Sequence, residues 1–173
     1  ESAAAYRAAG AALGACPACS QARWRSGPFS DSTRARAAIS ECKALGGVAA
    51  GPAVGEPSPS FQLRGIQSEA VAIGGPSDRA TLVFFLSPTC PVCKKLLPVL
   101  KAMQRDERRA VSVVLASDGE HAEHLRFVTE QGLGHMPYVL STELGMGYRV
   151  SRLPYAVLLD RGGMVAAKGL VNS

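Results

Sequence analysis

Residues 84–98 read FFLSPTCPVCKKLLP, and the fold is decided there. The stretch begins inside an uncharged run of β-formers, Ala80 to Ser87 (ATLVFFLS), passes two cysteines with two residues between them, and continues into a helical pattern. A strand without charge suits a position covered on both faces, in a parallel or mixed sheet between helices. From Cys93 to Ala110, Leu96, Leu97, Leu100 and Met103 recur on one side, with Lys94, Lys101, Arg105 and Arg108 elsewhere, which predicts an amphipathic helix. Pro98 lies inside that helix and predicts a kink, because proline lacks the N–H and crowds the preceding turn.

Working outward, Val111 to Ala116 (VSVVLA) is a second buried strand. Ser117 or Asp118 is expected to cap a helix from about Glu120 to Gln131, ended by Gly132. Pro137 to Leu140 is short and apolar, and its periodicity selects neither helix nor strand. Tyr155 to Asp160 (YAVLLD) is a strand, Arg161-Gly162-Gly163 a hairpin turn, and Met164 to Leu170 its return strand. Upstream, Phe61 to Leu63 and Val71 to Ile73 are short strands flanking a turn, and Gly74-Gly75-Pro76 is a further turn. The order strand, helix, strand, helix, hairpin predicts an α/β fold with a mixed central sheet and helices on its faces.

Before this region the composition changes. Residues 1–50 are dominated by Ala, Gly, Ser and Arg and keep neither helical nor strand periodicity for long. Ala3 to Leu13 and Ser32 to Leu45 are weak helix candidates. Gly51 to Ser60 (GPAVGEPSPS) reads as a linker. The expected division is a low-complexity extension over 1–50 and a folded domain over 51–173. The 173 residues carry a net charge of +5, spread without a basic stripe, and Trp24 is the one tryptophan, so a nucleic-acid partner is excluded. No stretch reaches the roughly 18 apolar residues of a membrane helix. Ala8 to Ala22 is uncharged but too short, and it does not read as a secretory signal, because no basic amino end is followed by a Leu/Val-rich run. A chain that starts at Glu1 reads as processed, trimmed or a fragment.

Cys90-Pro91-Val92-Cys93 is the chemical centre. Its spacing lets two sulfurs approach disulfide distance across one turn at a helix start, where unpaired N–H groups favour a thiolate on Cys90. Pro91 is tolerated because the first-turn N–H has no helical partner to lose. Cys90 is then the exposed nucleophile, and Cys93, one turn inward, resolves the mixed disulfide. The competing readings are a structural disulfide or half of a zinc site. Zinc needs a second pair, and Cys16-Pro17-Ala18-Cys19 lies about seventy residues upstream, far from the short spacings of zinc ribbons. Ser20 where haem attachment needs His removes that option, and Cys42 is an odd, incidental thiol.

These residues also carry a resemblance. FFLSPTCPVCKKLLP, with Pro154 in SRLPYAVLLD, resembles the thioredoxin-like fold, and VGEPSPSFQL at 54–63 is similar to the entry segment of its redoxin (AhpC/TSA) and cytochrome-maturation branches. FLSPTCPVCKKLLPVL, VVLASDGEHAEH, PYVLSTELGMGYRVSRLPYAVLLD and AKGLVNS together resemble the MauD family of methylamine-utilisation proteins, over about Gly51 to Ser173. The resemblance implies a periplasmic, membrane-anchored thiol–disulfide protein without a cofactor. Its implied partners are a disulfide-containing protein, the small subunit of methylamine dehydrogenase, and an unidentified redox protein. It assigns Cys90 as the attacking cysteine, Cys93 as the resolving one, and Pro154 as a cis-proline facing their disulfide. Without the family, Pro154 reads as an ordinary trans proline at a strand start.

Departures from the family pattern are equally specific. A buried acid of thioredoxin, six residues before the first cysteine, is replaced by Phe84, and the Glu of the cytochrome-maturation relatives, six residues after it, by Leu96. Deprotonation of Cys93 then needs water, substrate or another base. Residues 1–48 do not match the family's membrane-spanning start and read as a divergent or out-of-frame counterpart, and one further helix is expected beyond Ser173, so a truncated product is expected. His121 and His124, three apart with Glu120 and Glu123 nearby, are expected on a solvated helix face rather than on a metal. Met146 and Met164 are expected as core or hairpin residues, and His135-Met136-Pro137 with CPVC as no copper site. Two other functions remain to be separated: a redoxin-type peroxidase, suggested by Ser87 but lacking the upstream proline at Val83, and a metal-handling module.

Overall fold

The structure, a computed structural model, describes residues 51–171. The two weak helices expected within 1–50, and Cys16, Cys19 and Cys42, lie outside the described residues. Alternating side chains produce a first hairpin, in which β1 (Phe61–Arg64) pairs antiparallel with β2 (Ala70–Ile73). Phe61 sits opposite Ile73 and Leu63 opposite Val71, so one face of this two-stranded sheet is apolar and turns inward.

The uncharged run forms β3 (Ala80–Phe85), buried at every residue. After it come α1 (Pro91–Asp106), β4 (Val111–Ser117), α2 (His121–Glu130), β5 (Tyr138–Leu140), α3 (Thr142–Gly147), β6 (Tyr155–Leu159) and β7 (Val165–Leu170). The main sheet runs β5-β4-β3-β6-β7, with β3, β4 and β5 parallel and β6 and β7 antiparallel to their neighbours. The crossovers β3–α1–β4 and β4–α2–β5 step the same way across the sheet, and right-handed connections then put both helices on one face. The buried clusters agree. Phe84, Leu115 and Tyr138 pack with Leu97 and Leu100 of α1 and Phe127 of α2. Phe85, Val114 and Tyr155 pack on the other face with Leu144 of α3, Tyr148, and the β1–β2 hairpin.

Four local expectations need correction. The first helix starts at Pro91 rather than Cys93, because a proline at the first position is preorganised for helix, and it ends at Asp106 rather than Ala110. It runs as one element through Pro98, where Lys94, whose carbonyl loses its partner, is exposed to water. Neither Ser117 nor Asp118 caps α2. The Ser117 hydroxyl donates to Leu86 O at 2.8 Å, and the cap position is Glu120, which makes no side-chain cap bond. Residues 51–60 are not a free linker but are laid along β7: Gly55 N donates to Val165 O at 2.8 Å, Val165 N to Glu56 O at 2.9 Å, and Ser58 N to Gly163 O at 2.9 Å. Gly163 is required there, since its φ is +78° and a Cβ would fall 2.5 Å from Gly75 N.

The undecided Pro137 to Leu140 segment is β5, parallel to β4. The short α3 was not foreseen. It holds two glycines, and its start depends on Ser141, whose Oγ accepts from Leu144 N at 3.1 Å. Among the described residues no helix is long and apolar enough to cross a membrane.

Candidate active site

Strand β3 ends at Phe85, and Leu86 N still bonds Ala116 O at 3.0 Å, so the sheet holds the chain until just before the chemistry. The next residues turn tightly. Cys90 N donates to Ser87 O at 3.1 Å, and the Ser87 and Thr89 hydroxyls meet at 2.9 Å. Cys90 has extended backbone angles, φ −81° and ψ 113°, and occupies the cap position of α1. Its Sγ accepts the backbone N–H of Cys93 at 3.3 Å, doing with sulfur what Ser or Asp does with oxygen at other helix starts. That bond and the aligned peptide dipoles offer a sulfur anion partial positive charge.

Both cysteines are free thiols, but their surroundings differ. Cys90 is half-buried and open to solvent, whereas Cys93 is 0% exposed. Burial pushes the Cys93 thiol up to about 12, the Cys90 side chain adds to the rise, and the Ser87 backbone opposes it. One sulfur is reachable and accepts a helix-start N–H, and the other is held neutral beneath it. Phe84 and Leu96, at the two positions where relatives place an acid, are buried in the same cluster as Cys93. Among the described residues no carboxylate acts on this thiol.

The Leu153–Pro154 peptide bond is cis, and Pro154 is buried at the start of β6. Tyr155 pairs with Phe85, so Pro154 stands level with Leu86, at the end of the sheet from which the Ser87–Cys90 loop leaves. Pro154 O accepts from Val171 N at 3.0 Å, and Leu153 is 42% exposed beside it.

His124 corrects an expectation. His121 is exposed, but His124 is 2% exposed and belongs to the core. Its Nδ1 lies 2.8 Å from the Tyr138 hydroxyl and its Nε2 2.9 Å from Asp118 O. The signal was present in the sequence: His124, Phe127 and Val128 stand at i, i+3 and i+4, one helical stripe. Among the described residues no group of three His, Cys, Asp or Glu is placed to hold a metal. His135 is exposed while Met136 is buried, and Met146 is exposed rather than in a core.

Comparison with known proteins agrees with this geometry. Residues 54–172 match the AhpC/TSA family. The chain is 48% identical over 125 residues to the methylamine utilization protein MauD of Methylorubrum extorquens, covering 71% of this chain and 60% of that one. It is 46% identical over 123 residues to MauD of Paracoccus versutus, covering 71% and 61%. The chain thus spans about three fifths of the length of the curated relatives it matches. The thioredoxin domain of a thiol-disulfide oxidoreductase from Bacteroides vulgatus superposes with a TM-score of 0.61 at 20% identity, over 70% of this chain and 91% of that one, which shows a thioredoxin-like fold.

Proposed function

The chain belongs to the AhpC/TSA family, and on that premise we propose that it is a thiol–disulfide oxidoreductase whose working pair is Cys90 and Cys93. The carrying observation is the asymmetry of the pair: an accessible sulfur bonded to the Cys93 N–H at 3.3 Å, above a thiol 0% exposed. In the reducing direction the Cys90 thiolate attacks one sulfur of a substrate disulfide, forming a mixed disulfide and releasing a substrate thiolate. Cys93 loses its proton, its sulfur attacks Cys90 Sγ, and the second substrate thiolate leaves. Two electrons pass from the pair to the substrate, and the Cys90–Cys93 disulfide remains. The reverse sequence makes a disulfide in the substrate, and the reduction potential of the pair sets the net direction. Pro154 and the exposed Leu153 form the ledge on which an extended substrate segment lies, as in strand addition.

The identity to MauD supports a place in methylamine utilisation, and the substrate proposed with it is the disulfide-dense small subunit of methylamine dehydrogenase, on the periplasmic side of a membrane. Trapping tests both levels. Cys93→Ser should hold a mixed disulfide with that subunit on Cys90, stable without reductant and absent in Cys90→Ser. Rapid consumption of hydrogen peroxide with Cys90 intact and Cys93 dispensable would instead establish a peroxidase.

A further inference from the structure

Resting on the two-cysteine reading above, a second question follows from the burial of Cys93: where its proton goes. Among the described residues its own neighbourhood supplies no carboxylate, and burial holds the thiol neutral. The register of the sheet shows what lies alongside. Ala156, Phe84, Leu115 and Tyr138 are paired across β6, β3, β4 and β5, so their side chains form one row on the face covered by α1 and α2. Cys93 and Tyr138 belong to the same buried cluster. Tyr138 is the one residue of that row with a polar side chain, and it is 0% exposed. Its hydroxyl meets His124 Nδ1 at 2.8 Å.

We propose that Tyr138 and His124 are a proton relay for Cys93, taking up the proton that its sulfur releases when it resolves the mixed disulfide.

The hydrogen bonds set the direction. Asp118 O can only accept, so the 2.9 Å contact puts a proton on His124 Nε2. In the neutral ring Nδ1 is then bare, and Tyr138 O–H donates to it. Among the described residues no direct bond joins that oxygen to Cys93 Sγ, so its remaining lone pair takes the Cys93 proton through one bridging water. When the Cys93 proton passes to Tyr138 oxygen, the tyrosine proton passes to Nδ1. Cys93 becomes a thiolate, Tyr138 stays neutral and His124 becomes a cation. Now Nδ1–H donates to the phenol, and the phenol O–H is free to donate toward the sulfur anion, which offsets part of its desolvation. Formation of the Cys90–Cys93 disulfide expels the substrate thiolate, and His124 returns its proton to solvent or to that thiolate. No electron passes through the relay.

Electrostatics supports the placement. Burial pushes the Tyr138 phenol up; Ser117 opposes this, and negative charge on Cys93 and on Glu123 raises it further. The Tyr138 phenol thus lies within electrostatic reach of the Cys93 sulfur. The titratable groups facing the pair are Cys93 on α1 and Glu123 beside His124 on α2, with Asp118 meeting the ring through its carbonyl. Tyr138 and His124 act through Cys93 and are positioning residues.

The test separates the two sulfurs in one trace. In the full chain with Cys16, Cys19 and Cys42 replaced by Ser, reduced protein is mixed with 5,5′-dithiobis(2-nitrobenzoate). The first thionitrobenzoate is released by Cys90 and the second by attack of Cys93. Tyr138→Phe and His124→Gln should leave the first phase within about twofold and slow the second about tenfold or more at pH 7. The second phase should then climb about tenfold per pH unit, following hydroxide, where the parent levels off. In the parent, mixtures of H2O and D2O should bow the rate plot downward, as more than one proton in flight requires. That readout holds even if a variant does not fold. Folded variants with the parent's pH profile, or a straight isotope plot, overturn the relay and leave the two-cysteine reading intact. A parent that releases no second thionitrobenzoate overturns both.

Discussion

The two faces of the central sheet are built from the same strands, yet they carry different kinds of side chain. Phe84 and Phe85 are neighbours in β3 and point to opposite faces. On the Phe85 face the packing is aromatic: Phe85 meets Tyr148 edge-on at 5.7 Å and Tyr155 at 6.4 Å, and Tyr148 also meets Phe61 and bonds Ser58. Among the described residues that face carries no cysteine. The Phe84 face holds Cys93 and Tyr138 in one buried cluster, with His124 of α2 bonded to the Tyr138 hydroxyl. One face therefore anchors the entry hairpin and α3, while the other supports α1 and its sulfurs. A single strand supplies both because its side chains alternate, so stability and redox chemistry can be changed separately.

That separation is open to test, the largest effect first. Cys90→Ser should lower insulin-disulfide reduction by about a thousandfold or more, while Cys93→Ser keeps the first attack and accumulates mixed disulfide. If Cys90→Ser traps substrate and Cys93→Ser does not, the two sulfurs have exchanged roles. Phe85→Ala, on the scaffold face, should cost about 3–5 kcal/mol in urea unfolding and leave the thiol kinetics of the folded fraction unchanged. A shifted pH profile for Cys93 in that variant would show that the faces are coupled.

A pH effect follows from the buried thiol. Cys93 is raised in the folded state from 9.0 to about 12, so above pH 9 the unfolded chain releases this proton and the folded chain keeps it. Stability of the reduced protein should therefore fall as pH rises from 9 toward 12, by at most about 1.4 kcal/mol per pH unit from this group. Buried Tyr138, Tyr148 and Tyr155, raised by the same cause, add in the same direction at the alkaline end. Urea titrations at pH 8 and pH 10 should show the drop, and it should shrink in Cys93→Ser. Smallest of all, a chain beginning at Gly51 should keep thiol exchange within about twofold, because residues 51–60 already bond to β7 and its turn. A larger loss in a folded truncation would bring the first 50 residues into the working protein.

Much of this architecture was legible in the residues because the forces that set it are local. The uncharged ATLVFFLS run is a strand buried on both sides, and LLxxLxxM spacing is a helix face, whatever surrounds them. Asp160, Gly162 and Gly163 close a hairpin through bonds within five residues, Gly162 N to Asp160 Oδ1 at 2.8 Å and Met164 N to the same oxygen at 2.9 Å. What was misread depended on contacts from elsewhere. Ser117 looked like a cap until Leu86 O, 31 residues away, took its hydroxyl. GPAVGEPSPS looked like a linker because the residues of β7 and its turn that its backbone bonds lie more than 100 residues later.

By itself the sequence determined that a CPVC pair stands between a buried strand and a helix start, and so which sulfur is proposed to lead: the helix end and the N1 proline are properties of consecutive residues. Only the tertiary structure decided how the second sulfur is held. Desolvation belongs to a packed volume, and the groups that fill the volume around Cys93 come from β3, α1, α2 and β5. The His124–Tyr138 bond likewise needs a helix and a strand to meet on one face of the sheet, and two right-handed crossovers, not any local motif, bring them there.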